Sequence, residues 1–196
     1  MDPMKCTLNP SPSGSSGAAI SALDLEFHTN RNIGIPPHKA TGMPPLMLKN
    51  PQALKEMIGR EIGVTDWFQI TQERVHHFAE ATEDRQWIHV NRERARHESP
   101  YGTTIAHGFL TLSLISYFVK ELIDIQDGVG LAVNYGLNRV RFPAPVPSDS
   151  KIRARIFLLA WKELVDSIEA TFQVTIESDQ SEKASCVAEW IVRYYA

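Results

Sequence analysis

The sequence predicts an α+β domain in which an antiparallel sheet wraps around a long central helix. Three observations predict it. The stretch HGFLTLSLISYFVKELI (107–123) is apolar almost all round in its first part, with Phe109, Leu110, Leu112, Leu114, Ile115, Tyr117, Phe118 and Val119. A helix of that kind is buried on most of its sides. Downstream, apolar residues recur at period two: Ile152, Ala154, Ile156 and Leu158, then Ile168, Ala170, Phe172, Val174 and Ile176, then Ala184, Cys186, Ala188, Trp190 and Val192. Each run reads as a strand with one face in a core. The connections between these runs are short, which favours antiparallel pairing. There is no internal repeat and no parallel βαβ pattern.

The remaining elements follow in chain order. Residues 1–46 are rich in Pro, Ser and Gly, as in NPSPSGSSGAA (9–19) and IPPHKATGMPP (35–45). Such composition buries little, so this segment is expected to be a disordered, dispensable tail ahead of a domain spanning 47–196. PQALKEMIG (51–59) reads as a short helix, with Pro51 suited to its first turn and Gly59 to its stop. VTDWFQI (64–70) is rich in strand formers. Thr71 can then cap a helix, TQERVHHFAEAT, whose Val75, Phe78 and Ala79 mark one buried face and whose Glu73 suits the first turn. That helix ends near Thr82, which leaves Asp84 in a loop. A further strand is expected near 130–142.

Composition narrows the function classes. The chain has 196 residues, is 43% hydrophobic and 22% charged, and carries a formal charge of −3. There is no basic excess for nucleic acid. No apolar run approaches the ~20 residues that span a bilayer. The N-terminus lacks the charged and apolar regions of a secretory signal, so a cytoplasmic location is expected. Cys6 and Cys186, in a polar stretch and a strand respectively, are not expected to pair. His76 and His77 are adjacent and point to different faces of their helix, and no Cys/His/acid cluster has zinc spacing. Glycine-rich nucleotide fingerprints are absent.

One segment carries acid/base potential. Residues 82–89 read Thr-Glu-Asp-Arg-Gln-Trp-Ile-His, placing Asp84 and His89 five apart. Alone, that pair is as ordinary as any solvated loop. Together with GTTIAHGFLTLSL (102–114) and NYGLNRVRFPAPVP (134–147), it resembles the MaoC-like, (R)-specific enoyl-CoA hydratase family, in its nodulation-protein-N-like subgroup. The resemblance covers about 50–195. It implies the hot-dog fold, and Asp84 and His89 as the catalytic pair. It also implicates Gly108 as a backbone oxyanion donor, which the start of the buried helix suits, because N–H groups there lack intrahelical partners. Ser116 matches the offset of a family serine near the aspartate, with Ser113 the alternative. Either serine could instead bond to the preceding turn of its own helix. His107 reads as structural. Arg139 and Arg141 fall on one strand face, where coenzyme A phosphates, solvent or a dimer interface could claim them. Gln86-Trp87 replaces the family's commoner Asn-Pro. Glu83 replaces a glycine, and would cost about 1 kcal/mol if the backbone there has positive φ.

The implied reaction is the reversible hydration of a trans-2-enoyl thioester to an (R)-3-hydroxyacyl thioester. Water attacks C3, C2 gains a proton, and charge builds on the carbonyl. A carboxylate and an imidazole holding one water supply both transfers, each typically worth ~10²–10⁴-fold. Trp87 and Ile88 would anchor the loop and aim His89. No metal or redox cofactor is expected; coenzyme A enters only as part of the substrate, with an acyl-carrier-protein thioester the other possible donor. Two rivals stay open: an acyl-CoA thioesterase using the same pair, and a non-catalytic acyl-thioester-binding protein. Family members join sheets edge to edge, so at least a homodimer is expected.

Overall fold

The computed structural model describes residues 44–196. The expectations for residues 1–43, and for Cys6, lie outside the described residues. The domain begins with β1 (Leu46–Leu48), a 3₁₀ helix (Pro51–Met57), β2 (Glu61–Val64) and β3 (Phe68–Ile70). Three helices follow: α1 (Gln72–Thr82), α2 (Trp87–Val90) and α3 (Arg92–Glu98). Then come α4 (Gly108–Ser113), α5 (Ile115–Leu122), and strands β4 (Ile123–Ile125), β5 (Leu131–Arg141), β6 (Ser150–Glu163), β7 (Ser167–Ser178) and β8 (Ser181–Tyr195).

The main sheet runs in the order β2-β6-β7-β8-β5, with β3 also on β6, and every pair in it is antiparallel. Its inward residues are the ones the alternation marked: Ile152, Ala154, Ile156 and Leu158 on β6, Ala170, Phe172, Val174 and Ile176 on β7, and Cys186, Ala188 and Val192 on β8 are all buried. Phe118, Ile115 and Leu110 from α4 and α5 lie in the same core cluster. This is the hot-dog arrangement. The far side of the sheet carries charge instead: Glu177 accepts from Arg153 at 2.7 Å and from Arg155 at 3.3 Å, and Arg155 also reaches Glu61.

Three expectations need correction. The run 64–70 is not one strand. Both β2 and β3 pair with β6, and between them Thr65 takes the Ala154 N–H on its hydroxyl at 2.9 Å, so a side chain replaces a ladder carbonyl. The central helix is broken at Leu114, where Ser113 Oγ donates to the Leu110 carbonyl at 2.8 Å. Nor is that helix enclosed all round within one chain, because Phe109 is 69% exposed and Tyr117 41%. Leu131, Val133 and Tyr135 of β5, the edge strand of the sheet, are exposed as well. Phe109 and Phe142 meet edge to face, 6.0 Å between ring centres.

The segment after Asp84 is also more helical than its sequence shows. Asn91 caps α3 by accepting the Arg94 N–H at 2.9 Å, Glu93 sits in its first turn and Arg96 and His97 in its last, which suits the helix dipole at both ends. Only Ala95 of α3 is buried.

Candidate active site

Helix α1 starts on its Thr71 cap, whose hydroxyl accepts the Arg74 N–H at 3.2 Å, and stops at Glu83. Glu83 has φ 60 and ψ 10, the left-handed region that glycine occupies most easily. The condition placed on this position is therefore met: a glutamate closes the helix where a glycine would be unstrained. Its carboxylate pairs with Arg85 at 3.0 Å, and Arg85 also reaches Glu80 at 3.4 Å. The reversal at Glu83 turns the chain so that Asp84 stands at the head of the next loop, with its side chain 57% exposed.

His89 sits in the short helix α2 and is buried, only 7% exposed. Trp87 and Ile88 are half-buried on the same turn, and the Arg94 guanidinium lies 4.4 Å from the Trp87 ring centre. The Ile88 carbonyl accepts the Ile105 N–H at 3.0 Å, which ties α2 to the strand-like approach to α4. The His89 carbonyl accepts Gln72 Nε2 at 2.7 Å, and the amide oxygen of Gln72 accepts a short hydrogen bond from Thr104 Oγ1. Gln72 is buried at the start of α1, where its N–H is held by Asp149 Oδ1 at 3.1 Å. One glutamine thus locks the α1 terminus, the His89 backbone and the 104–107 segment together. Sequence reasoning missed it; a polar residue at a helix position otherwise facing the core is the only trace it leaves.

The hydrogen bonds assign the tautomers. His89 Nδ1 is 2.7 Å from the Ile105 carbonyl, which can only accept, so the proton is on Nδ1 and Nε2 carries the lone pair. Burial holds the His89 pKa below its ordinary value of 6.5; the Ile105 bond works against this, neighbouring His107 adds to it, and Asp84 partly offsets it. His89 is therefore a neutral base at neutral pH.

His107 joins the pair. Its ring stacks on His89 with 3.7 Å between ring centres and 25° between planes, and Nε2 lies 2.9 Å from the Asp84 carbonyl oxygen. One polar side-chain atom from each of Asp84, His89 and His107 lies within 4.8 Å of the others. Two hydrogen bonds of about 2.8 Å meeting at a tetrahedral angle span about 4.6 Å, so a cluster of this size has room for one bridging water.

The other predicted residues are spread along the helix and the edge strand. Gly108 opens α4 and is half-exposed. A Cβ there would stand 3.1 Å from the Phe142 ring, so the glycine makes room for that ring. Ser113 and Ser116 both line a cavity of about 250 Å³ with Leu112, Ile115, Asn134, Gly136, Leu137 and Trp190. The cavity begins at Leu112, about one helical turn beyond Gly108. Ser113 is engaged with the Leu110 carbonyl, the bland outcome its position allowed. Arg139 and Arg141 lie on β5; Arg141 is exposed and donates to the Val140 carbonyl at 2.8 Å. Cys186 is buried, and burial pushes its thiol up to about 12, so it is no nucleophile at neutral pH.

Comparison with known proteins agrees with this architecture. The MaoC-like domain profile matches residues 53–180. The 3-hydroxyacyl-thioester dehydratase Z of Mycobacterium tuberculosis is 51% identical over 139 residues, 70% of this chain and 91% of that protein. Nodulation protein N of Rhizobium leguminosarum bv. viciae is 42% identical over 137 residues, 68% of this chain and 84% of that protein. The solved (R)-hydratase from A. caviae involved in PHA biosynthesis superposes with a TM-score of 0.56 at 21% identity, over 68% of this chain and 96% of its own. The chain belongs to the MaoC-like domain family.

Proposed function

We propose that this enzyme interconverts a trans-2-enoyl thioester and an (R)-3-hydroxyacyl thioester by adding or removing water. The observation that carries the reading is the gathering of Asp84, His89 and His107 side-chain atoms within 4.8 Å, with the His89 Nδ1 proton held by the Ile105 carbonyl. The 51%-identical relative is named a 3-hydroxyacyl-thioester dehydratase, which supports the same class of reaction, a lyase reaction, for this chain.

In the hydration direction, water donates one hydrogen to His89 Nε2 and the other to the Asp84 carboxylate. Its oxygen attacks C3 as the O–H bond to His89 breaks. The C2=C3 π electrons move through C1 onto the thioester oxygen, where the Gly108 N–H at the head of α4 stabilises the charge. The enolate then collapses and C2 takes the proton the pair had removed. Water's atoms are all accounted for, and dehydration retraces the steps. The acyl chain would enter the cavity beyond Gly108, where Leu112, Ile115, Leu137 and Trp190 supply apolar wall and Ser116 and Asn134 polar points.

No metal is invoked. Asp84, His89 and His107 are close enough to be weighed as ligands. Yet the two rings stack almost parallel, and one nitrogen of each faces a carbonyl. Lone pairs lying in near-parallel planes do not converge on one ion at ~2 Å. The carrier is coenzyme A or an acyl-carrier protein, and the position of Arg139 and Arg141 on β5 supports a role for them at its phosphates. A second copy of the chain is proposed to cover the β5 edge, where Leu131, Val133 and Tyr135 are exposed, since an unpaired edge strand with exposed apolar side chains invites pairing.

The test is to incubate the purified chain with crotonyl-CoA and follow conjugated-enoyl absorbance and free thiol together. Loss of absorbance without thiol release is expected. Thiol release in step with the loss of absorbance would make the protein a thioesterase, and neither change would make it a binder.

A further inference from the structure

His107 does more than fill the core. We propose that it is a positioning residue for the dehydratase reaction, tethering the Asp84 loop through Nε2–H while its ring sets the face of His89 and its backbone opens the helix at Gly108. The proposal rests on the hydration reading above.

Each part is geometric. The Asp84 carbonyl can only accept, so the 2.9 Å contact requires the proton on His107 Nε2. His107 Nδ1 is buried and without a hydrogen-bond partner among the described residues, so a proton there would be a buried, unpaired N–H. Both ring nitrogens thus favour the Nε2–H tautomer. The ring itself is packed by two others, Phe78 of α1 tilted at 5.1 Å and His89 of α2 stacked at 3.7 Å. Its carbonyl accepts the Thr111 N–H at 3.2 Å, the first bond of α4. One residue, only 3% exposed, therefore touches the loop of the acid, the ring of the base and the start of the helix that offers the oxyanion donor.

Tethering matters because Asp84 has no comparable support. Its side chain is more than half exposed, its loop follows a left-handed Glu83, and it precedes a helix with no side-chain cap. A displacement of about 1 Å at a reacting group can cost ~10²-fold in rate. His107 is not itself a catalytic residue: one nitrogen is spent on Asp84 and the other is sealed from solvent.

Glutamine can offer the same N–H donor without an imidazole, whereas phenylalanine fills the space and offers none. The experiment pairs H107Q and H107F, with H107L replacing H107F should the latter not fold. Steady-state dehydration of 3-hydroxybutyryl-CoA is measured for each, and ¹⁵N-histidine NMR of the wild-type chain reads the tautomer. His107 is expected to be protonated on Nε2 and bare on Nδ1. H107F is expected to lose at least ~10-fold in kcat with KM within about threefold, and H107Q to stay within about threefold of wild type in both. Three results would overturn the role: the opposite tautomer, an unimpaired H107F, or an H107Q as damaged as H107F. A wild-type chain that turns over no thioester would instead overturn the hydration reading, and the kinetic role of His107 with it.

Discussion

Replacing Glu83 with glycine isolates one backbone conformation. At φ 60 a residue with a Cβ costs about 1–2 kcal/mol, which glycine does not incur. Two terms oppose the gain. The ion pair with Arg85 is lost, but Glu83 is 75% exposed and Arg85 52%, so that pair is worth only about 0.3 kcal/mol after solvent screening. Glycine also loosens the unfolded chain by about 0.5 kcal/mol. The net is a stabilisation of roughly 0.2–1.2 kcal/mol, or up to about 5 °C in Tm for a chain of this size. E83A is the control: it loses the ion pair and keeps the strain, so its Tm should not rise. Thermal melts followed by circular dichroism at one protein concentration decide the matter. An E83A that melts at or above E83G would refute the argument, because the Cβ would then carry no cost at this position.

Other outcomes follow from the same geometry. The His89 pKa is lowered in the fold, so its stabilising effect is fully present above pH 6.5 and is lost as pH falls from 6.5 through the lowered value. The acidic limb of kcat/KM should accordingly lie below pH 6.5, and a limb above it would mean that His89 is not the base. S116A should raise KM or lower kcat by up to ~10-fold, while S113A, whose hydroxyl is occupied by the Leu110 carbonyl, should be nearly silent; equal effects would remove the distinction. Analytical ultracentrifugation should show a dimer that L131D/V133D on the β5 edge converts to a folded monomer, and a wild-type monomer at micromolar concentration would contradict the covered edge.

Much of this architecture can be read from residues because burial imposes a period. β6, β7 and β8 are long and each has one face in the core, so alternation of apolar residues marks them. Capping chemistry likewise marks α1 at Thr71 and its end near Thr82. Where burial is slight, the signal disappears. Helix α3 buries only Ala95, so RERARHE has no apolar face to detect. The parallel pairing of β1 with β4 involves three residues on each side, too few to express any period. The break at Leu114 sits inside a continuous apolar run, beside a serine whose hydroxyl bonds the Leu110 carbonyl, and hydropathy registers neither.

The site divides the same way. Asp84 and His89 were singled out by the resemblance that their segment and the downstream helix entry carry together, and the fold brings the two side chains close. His107 and Gln72 were not, since both act through hydrogen bonds to main-chain carbonyls that become neighbours only after folding. His107 did leave a trace: a histidine immediately before the glycine that opens an apolar helix is an odd choice for a position that ends 3% exposed.

The central claim is that Asp84 and His89 act on one shared water. It is tested most directly by the turnover of crotonyl-CoA by D84N, H89A and the double variant. Two groups holding the same water fail together, so each single variant should lose at least ~10²-fold in kcat, and the double variant should be no worse than the poorer single within about threefold. A double variant whose loss equals the product of the two single losses would show that the residues act independently, and a near-wild-type rate in either single would remove that residue from the reaction.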